Sequence, residues 1–381
     1  MFSFVVLSHY LVMLKLHHCG INMRITLFTI VTILLVSSCS DKTIGLNCVP
    51  IVLDSTDTTS ISFDDCFDVL SCIPLEENEE GYISSVRRIE YFDGHYYIGS
   101  SNANVGLLVF DRTGKFVRRI GRKGNGHGEY TNIYDFSIDR KNRRVLMFCN
   151  RSSLIKVYSL DGEFQNEVIL HNTSLNDLAC INGLILCSTN HQGFTREQED
   201  SLFYIFDENF RFVKKHTYIS DNSIGMSSCM PASIRTYSNR FVYSDFHEHR
   251  LFVLNRHGEV ETCLEYEKDK LIPLSALKTP KLFVKNQFEY DFIFGSAILG
   301  DKCITAYKEN KQMKLSINKI NGDCILNRPL STLLPDFMGY DDNSFLSIVS
   351  AEHLKSLNVK LLLDNHVGVN YYIIKYRLKN G

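Results

Sequence analysis

The sequence predicts an all-β protein, a six-bladed β-propeller with four-stranded antiparallel blades, closed by N- and C-terminal strands that share one blade. Three observations predict it. In Val109–Tyr130, Phe110 and Phe116 flank Asp111-Arg112-Thr113-Gly114, a turn signal between two apolar runs. That pattern returns at Val157–Phe164, Ile205–Phe212, Val253–Val260 and Ser316–Cys324. The turn positions are Gly114, Gly162, Phe210, Gly258 and Gly322, so the first four lie 48 residues apart and the last step is 64. A strand-rich repeat on a step of this size is the mark of a propeller. Finally, the apolar tail Tyr371–Leu378 and the opening segment Ile61–Pro74 each lack a local partner, which points to their pairing with each other.

Each blade can be read in turn. The first is the hairpin Arg88–Phe92, turn Asp93-Gly94, His95–Gly99, followed by Leu107–Phe110 and Lys115–Ile120. Tyr134–Asp139, Arg143–Cys149, Leu154–Tyr158 and Glu163–Leu170 repeat the layout. Leu178–Asn190 opens the third blade, and Leu202–Phe206 with Phe212–Tyr218 closes it. Ile234–Tyr237, Arg240–Asp245, Arg250–Leu254 and Val260–Tyr266 form the fourth. The fifth takes Phe288–Phe294, Cys303–Tyr307, Met313–Ile317 and Cys324–Leu326. A sixth is expected from Asp342 onward, with strands Ser344–Val349 and Val359–Leu363, a short helix Ala351–Ser356 and the tail strand.

The N-terminus reads as an export segment. Met23 begins a run with Arg24, the apolar stretch Ile25–Val36 and then Ser37-Ser38-Cys39, the order of a signal peptide. Met23 is therefore expected to be the true start. Val36–Cys39 resembles the bacterial lipobox, which implies cleavage before Cys39 and acylation of its thiol, an anchor of more than one chain. The expected organisation is a signal peptide over 1–38, a lipidated tether over 39–60 and the propeller over 61–381.

The chain carries 12 Cys, scattered with no CxxC and no zinc-finger spacing. Around the Asn182-Gly183 turn, a two-residue loop pairs Cys180 with Ile185 and Leu178 with Cys187, so those thiols miss each other. Most are expected as small buried residues, which in an exported protein points to a reducing habitat. With 44% hydrophobic residues there is ample material for a core, and a formal net charge of −2 gives no field for nucleic acid. The absence of Trp removes the signature residue of WD repeats.

Gly121–Tyr130 (GRKGNGHGEY), followed by Tyr134–Asp139 (YDFSID), resembles the blade-to-blade connection of NHL-type propellers, a Gly-rich bend ending in Gly-Glu-aromatic. With the lipobox, the opening strand ending in Pro74-Leu75-Glu76 and the tail Tyr371–Lys379, the chain resembles the six-bladed propeller lipoproteins of Bacteroidetes. The resemblance implies a fold and a cell-envelope address, with little chemistry.

Gly121, Gly124, Gly126 and Gly128 lack phosphate-loop spacing and precede a strand, so they read as a bend needing positive φ. Arg112, Lys115, Arg118, Arg119, Arg122 and Lys123, echoed by Arg140, Lys141, Arg143 and Arg144, read as a solvated edge or as a surface for an anionic partner. His247 and His249, with Asp245, share a strand face but lack further ligands. No catalytic motif, metal set or cofactor motif is present. The reading is a membrane-anchored binding or scaffold module whose inter-blade loops hold a glycan, peptide or envelope protein, with Arg122, Lys123, His127, Glu129 and Tyr130 as candidate ligand-binding residues. The alternative, implied by calcium-dependent lactonases and lyases among six-bladed relatives, is a periplasmic hydrolase or lyase with a metal in the central channel. A third is a structural subunit of an outer-membrane assembly. Converging Asp, Glu, Asn or His side chains in the channel would favour the enzyme.

Overall fold

The computed structural model describes residues 47–100, 105–150, 154–170, 175–189, 201–217, 233–245, 249–273, 289–357 and 369–379. The lipobox, Cys39 and the candidate strand Val359–Leu363 lie outside them. Six sheets follow one another as blades, each ordered from an inner to an outer strand. Blade A holds β3 (Val86–Phe92), β4 (His95–Ser100), β5 (Leu107–Asp111) and β6 (Phe116–Ile120). A short parallel pair follows, β7 (Arg122–Lys123) with β8 (Glu129–Tyr130). Blade B holds β9 (Asp135–Asp139), β10 (Arg144–Asn150), β11 (Leu154–Ser159) and β12 (Phe164–Ile169). Blade C holds β13 (Leu175–Ile181), β14 (Leu184–Thr189), β15 (Ser201–Phe206) and β16 (Phe212–Thr217). Blade D holds β17 (Ser233–Tyr237), β18 (Arg240–Asp245), β19 (Arg250–Leu254) and β20 (Val260–Glu267). Blade E holds β21 (Phe292–Leu299), β22 (Lys302–Glu309), β23 (Gln312–Lys319) and β24 (Cys324–Pro329). In blade F, β25 (Gly339–Asp341), β26 (Ser344–Ser350) and β27 (Tyr371–Leu378) are completed by β2 (Phe67–Pro74) from the start of the chain.

Blade F closes the ring as expected. Strand β2 pairs antiparallel with β27, from Phe67 opposite Leu378 to Pro74 opposite Tyr372. The helix Ala351–Ser356 (α2, after α1 at Phe63–Cys66) also forms, with the Ser350 hydroxyl accepting from the His353 N–H at its N-terminus (3.1 Å). The blade begins earlier than the sequence indicates, because its inner strand is Gly339–Asp341, too short to leave a periodic signal.

Side-chain alternation explains why these strands read as continuous apolar runs. In β10, Val145, Met147 and Cys149 face blade A, whereas Leu146 and Phe148 face blade C. Both faces of an interior blade are thus buried. Six apolar clusters result, one at each junction from A–B round to F–A. The Asn182-Gly183 turn sets the register derived from sequence, with Leu178 opposite Cys187 and Cys180 opposite Ile185.

Two expectations need correction. Residues 49–57 belong to the propeller and not to a tether. Val49–Val52 forms β1, which pairs in parallel with β20 and covers the outer edge of blade D. The chain then runs along blade E. The Leu53 carbonyl accepts from the Tyr307 hydroxyl (2.6 Å) and the Asn327 amide (2.9 Å), and Asp57 pairs with Arg328 (2.8 Å). It reaches blade F through the Ile61–Leu330 bridge. This strap is held because Ile51 and Leu53 alternate inward and are fully buried. The second correction concerns sulfur. Cys48 and Cys263 form a disulfide, Cα–Cα 4.6 Å, between the strap and β20. The other described cysteines are free, and all but Cys72 and Cys324 are buried.

Candidate ligand-binding face

Antiparallel four-stranded blades divide the connections between two faces. Turns between first and second and between third and fourth strands lie on one face. Second-to-third hairpins and the links to the next blade lie on the other. The Gly121–Tyr130 segment joins β6 to β9, so it lies on this linking face.

That segment is clamped from within. Gly124 N–H donates to the Tyr130 carbonyl (2.9 Å) and Gly126 N–H to the Glu129 carboxylate (2.8 Å). Arg122 pairs with the same carboxylate at 2.6 Å. The Gly126 N–H is the main cause that holds the Glu129 carboxyl below its ordinary range, with Arg122 adding to it. Glycine is required at Gly128, where φ is +70° and a Cβ would press on Phe164. His127 sits edge-on to Phe164, ring centroids 4.7 Å apart. Tyr130 is 1% exposed and packs in the A–B junction, where burial pushes its phenol up to about 12. The five candidates therefore separate. Glu129 and Tyr130 hold the loop together, while Arg122 (side chain 80% exposed), Lys123 and His127 are exposed on it.

Most other members of the basic cluster are bound to the chain itself. Arg118 pairs with Asp161 (2.5 Å), Arg143 with Asp93 (2.6 Å) and Lys141 with Glu208 (2.6 Å), each across a blade junction. Arg140 stacks over Phe92 at 5.1 Å, and Arg119 donates to the Glu80 carbonyl (2.5 Å). Sequence reasoning missed these staples. The signal was available, because several partners lie about one repeat apart. Of the candidate metal ligands, His247 lies outside the described residues. His249 Nε2 is 2.9 Å from the Ile272 carbonyl, and burial lowers its pKa.

The channel is crossed by charge. Arg88 of blade A is buried, pairs with Asp135 of blade B (2.7 Å) and donates to the Ile234 carbonyl of the opposite blade D (2.6 Å). Arg235 of blade D donates back to the Arg87 carbonyl (3.2 Å), and Arg87 pairs with Asp177 of blade C (2.6 Å). The Leu178 N–H donates to Asp135 (3.0 Å) and the Ile138 N–H to Glu90 (3.1 Å). Burial raises the Asp177 carboxyl to about 6 against the pull of Arg87. The inner-strand carboxylates converge, but guanidinium and main-chain N–H groups already engage them. Among the described residues, no three His, Cys, Asp or Glu side chains gather as a cation would require.

Each end of the axis carries a cavity. One, about 750 Å³, is ringed by first-to-second-strand turns, including Asp93, Asn182, Asn239 and Asp342. The other, about 260 Å³, opens between blades A, D and E and the Leu333–Met338 link, on the face that carries Gly121–Tyr130.

A family profile described as a domain of unknown function, DUF4934, matches residues 46–367. No curated protein matches the chain. A candidate exported protein from Bacteroides fragilis is similar in structure, with a TM-score of 0.68 at 16% identity over 88% of this chain and 100% of that one. A member of the DUF4221 family from Bacteroides vulgatus is similar with a TM-score of 0.55 at 10% identity, over 83% of this chain and 98% of that one. At these identities the likeness is one of fold.

Proposed function

The chain belongs to the DUF4934 family, and from that premise we propose a cell-envelope binding or scaffold module, held to the membrane through Cys39. The observation that carries binding over hydrolysis is the channel. Asp177, Asp135 and Glu90 are each engaged by Arg87, Arg88 or a main-chain N–H group, with one oxygen of Asp135 left without a partner, so no open set of carboxylates faces a cation among the described residues. The partner, a glycan, peptide or envelope protein, would dock on the linking face through Arg122, Lys123 and His127, with Glu129 and Tyr130 fixing the loop's shape. Fixed loops bind with less ordering cost than mobile ones. The Gly-rich bend before β9 would be the NHL-like element of this surface.

Export finds support in two places. Disulfides such as Cys48–Cys263 persist in oxidising compartments. A protein of similar fold is a candidate exported protein of Bacteroides. Residues 1–38 would be removed, and the tether would run only from Cys39 to the strap near Cys48.

The test is a double substitution, Arg122→Ala with Lys123→Ala. Gly126 N–H still holds Glu129 in that variant, so the melting temperature should stay close to the parent's. Binding to arrayed sulfated and uronic-acid glycans, or to peptide and envelope-protein bait, should fall about tenfold or more for two lost charge contacts. A native fold with unchanged binding would make the loop purely structural.

A further inference from the structure

The cavity of about 260 Å³ on the linking face holds an uncommon set of charges. Its walls are mostly apolar, with Phe294, Phe337, Leu333 and Met313 among them. Three charged residues line it, Arg87, Arg235 and Asp336. Arg87 is committed to Asp177 at 2.6 Å. Among the described residues, neither of the other two takes part in an ion pair. Among the described residues, the Arg235 guanidinium donates to the carbonyls of Ile234 and Arg87, both at 3.2 Å. Its Nε is buried without a hydrogen-bond partner, and among the described residues no carboxylate forms an ion pair with it. Arg235 lies deep in the molecule yet is only half-buried, because it faces the cavity. Burial brings its pKa down to about 10, the direction expected of a cation short of compensating charge.

Asp336 is the counterpart. It sits on the link from β24 to β25, and among the described residues its carboxylate takes part in no ion pair or hydrogen bond. The apolar surroundings raise its pKa although the residue is exposed to solvent, while His353 and Arg235 pull it down. One half-buried cation and one exposed anion, unpaired with each other, thus line a small, mostly apolar cavity. A ligand with one charge would satisfy one of them and leave the other. A ligand with both, on adjacent atoms and joined to an apolar body, would satisfy the pair and the walls together. The volume is below the usual range for drug-sized ligands and suits roughly ten non-hydrogen atoms.

We propose that this cavity binds a free apolar α-amino acid, its carboxylate on Arg235, its ammonium on Asp336 and its side chain against Phe294 and Phe337. The site is separate from the Gly121–Tyr130 loop and does not depend on partner docking there.

Titration calorimetry on the full chain tests it, with L-leucine, L-phenylalanine and L-methionine as probes. L-Leucinamide lacks the carboxylate, N-acetyl-L-leucine lacks the ammonium, and L-leucyl-L-leucine separates the two charges. Saturable binding of at least one amino acid is expected, with each of the three analogues about tenfold weaker or worse. Asp336→Asn should weaken the amino acid but leave N-acetyl-L-leucine unchanged. Arg235→Gln should weaken the amino acid but leave the amide unchanged. Because Arg235 also bridges blades A and D, Asp336→Asn, on a surface link, keeps the test decisive if Arg235→Gln fails to fold. No saturable binding of any of the three amino acids overturns the proposal. So does equal binding of the amide, or a folded Asp336→Asn protein with unchanged affinity and selectivity.

Discussion

Gly114, Gly162, Phe210, Gly258 and Gly322 hold the same left-handed position in successive blades, with φ from +62° to +97°. In the first four turns a side chain three residues earlier accepts two main-chain N–H groups. Asp111 accepts from Thr113 and Lys115, Ser159 from Asp161 and Glu163, Asp207 from Asn209 and Arg211, and Asn255 from His257 and Glu259. A one-residue register shift follows in all five, which turns the outer strand back. The third turn was legible although Phe210 replaces glycine, because the step of 48 residues and the acceptor Asp207 located it. The glycines differ in what a methyl group would meet. At Gly162 the nearest atom is 3.5 Å away, whereas at Gly114 the Pro74 carbonyl oxygen would be 2.0 Å away. Gly162→Ala should therefore cost only the backbone strain, about 1–2 kcal/mol. Gly114→Ala should cost clearly more, because it also pushes on β2. Urea unfolding of the two variants gives the comparison, and equal costs would mean that the clash is relieved without effort. Tyr130 marks where residue-level reading stops. Its place in a loop motif made it look like a contact residue, but an aromatic just before an inner strand is also where a junction needs bulk.

The strap is the element that sequence concealed. Ser40–Thr59 looks polar overall, and its one apolar run is short. The alternation of Val49, Ile51 and Leu53 was the readable sign of a half-buried strand, but a parallel partner more than two hundred residues away leaves no local trace. Cys48 was equally opaque, since pairing over a separation of 215 residues follows no spacing rule. The disulfide closes a very long loop, and removing a native disulfide of this kind costs about 2–5 kcal/mol. Cys48→Ser should lower the melting temperature while leaving the propeller folded, since Ile51 and Leu53 still pack at the D–E junction. Reductant should bring the parent down to the variant and leave the variant where it is. A parent insensitive to reductant would show that the bridge adds nothing.

Closure is the property of the whole molecule, and it was legible because two strong strands had nowhere else to go. Six blades in sequence leave two sheet edges unless the first and last meet, and a ring removes that liability. The sequence could not show how much each half contributes. Blade F takes three strands from the end of the chain and one from the start, and β27 is the strand between them. Its side chains divide between two junctions. Ile373 faces blade A, and Tyr372, Ile374 and Tyr376 face blade E. All four are buried, and each fully buried side chain of this size contributes about 1.5–3 kcal/mol. Deleting Tyr371–Gly381 would remove those contacts at both junctions, strip β2 of its ladder and bare an edge of β26. Since blades A to E are held as a ring only through F, the damage should not stay local. The truncated chain should lose its cooperative thermal transition and aggregate, while internal substitutions on an exposed strand edge should do neither. Circular dichroism melting with light scattering reads both outcomes. A truncated chain that melts cooperatively at the parental temperature would show that five blades and a remnant are self-sufficient, and that the pairing of β2 with β27 is dispensable.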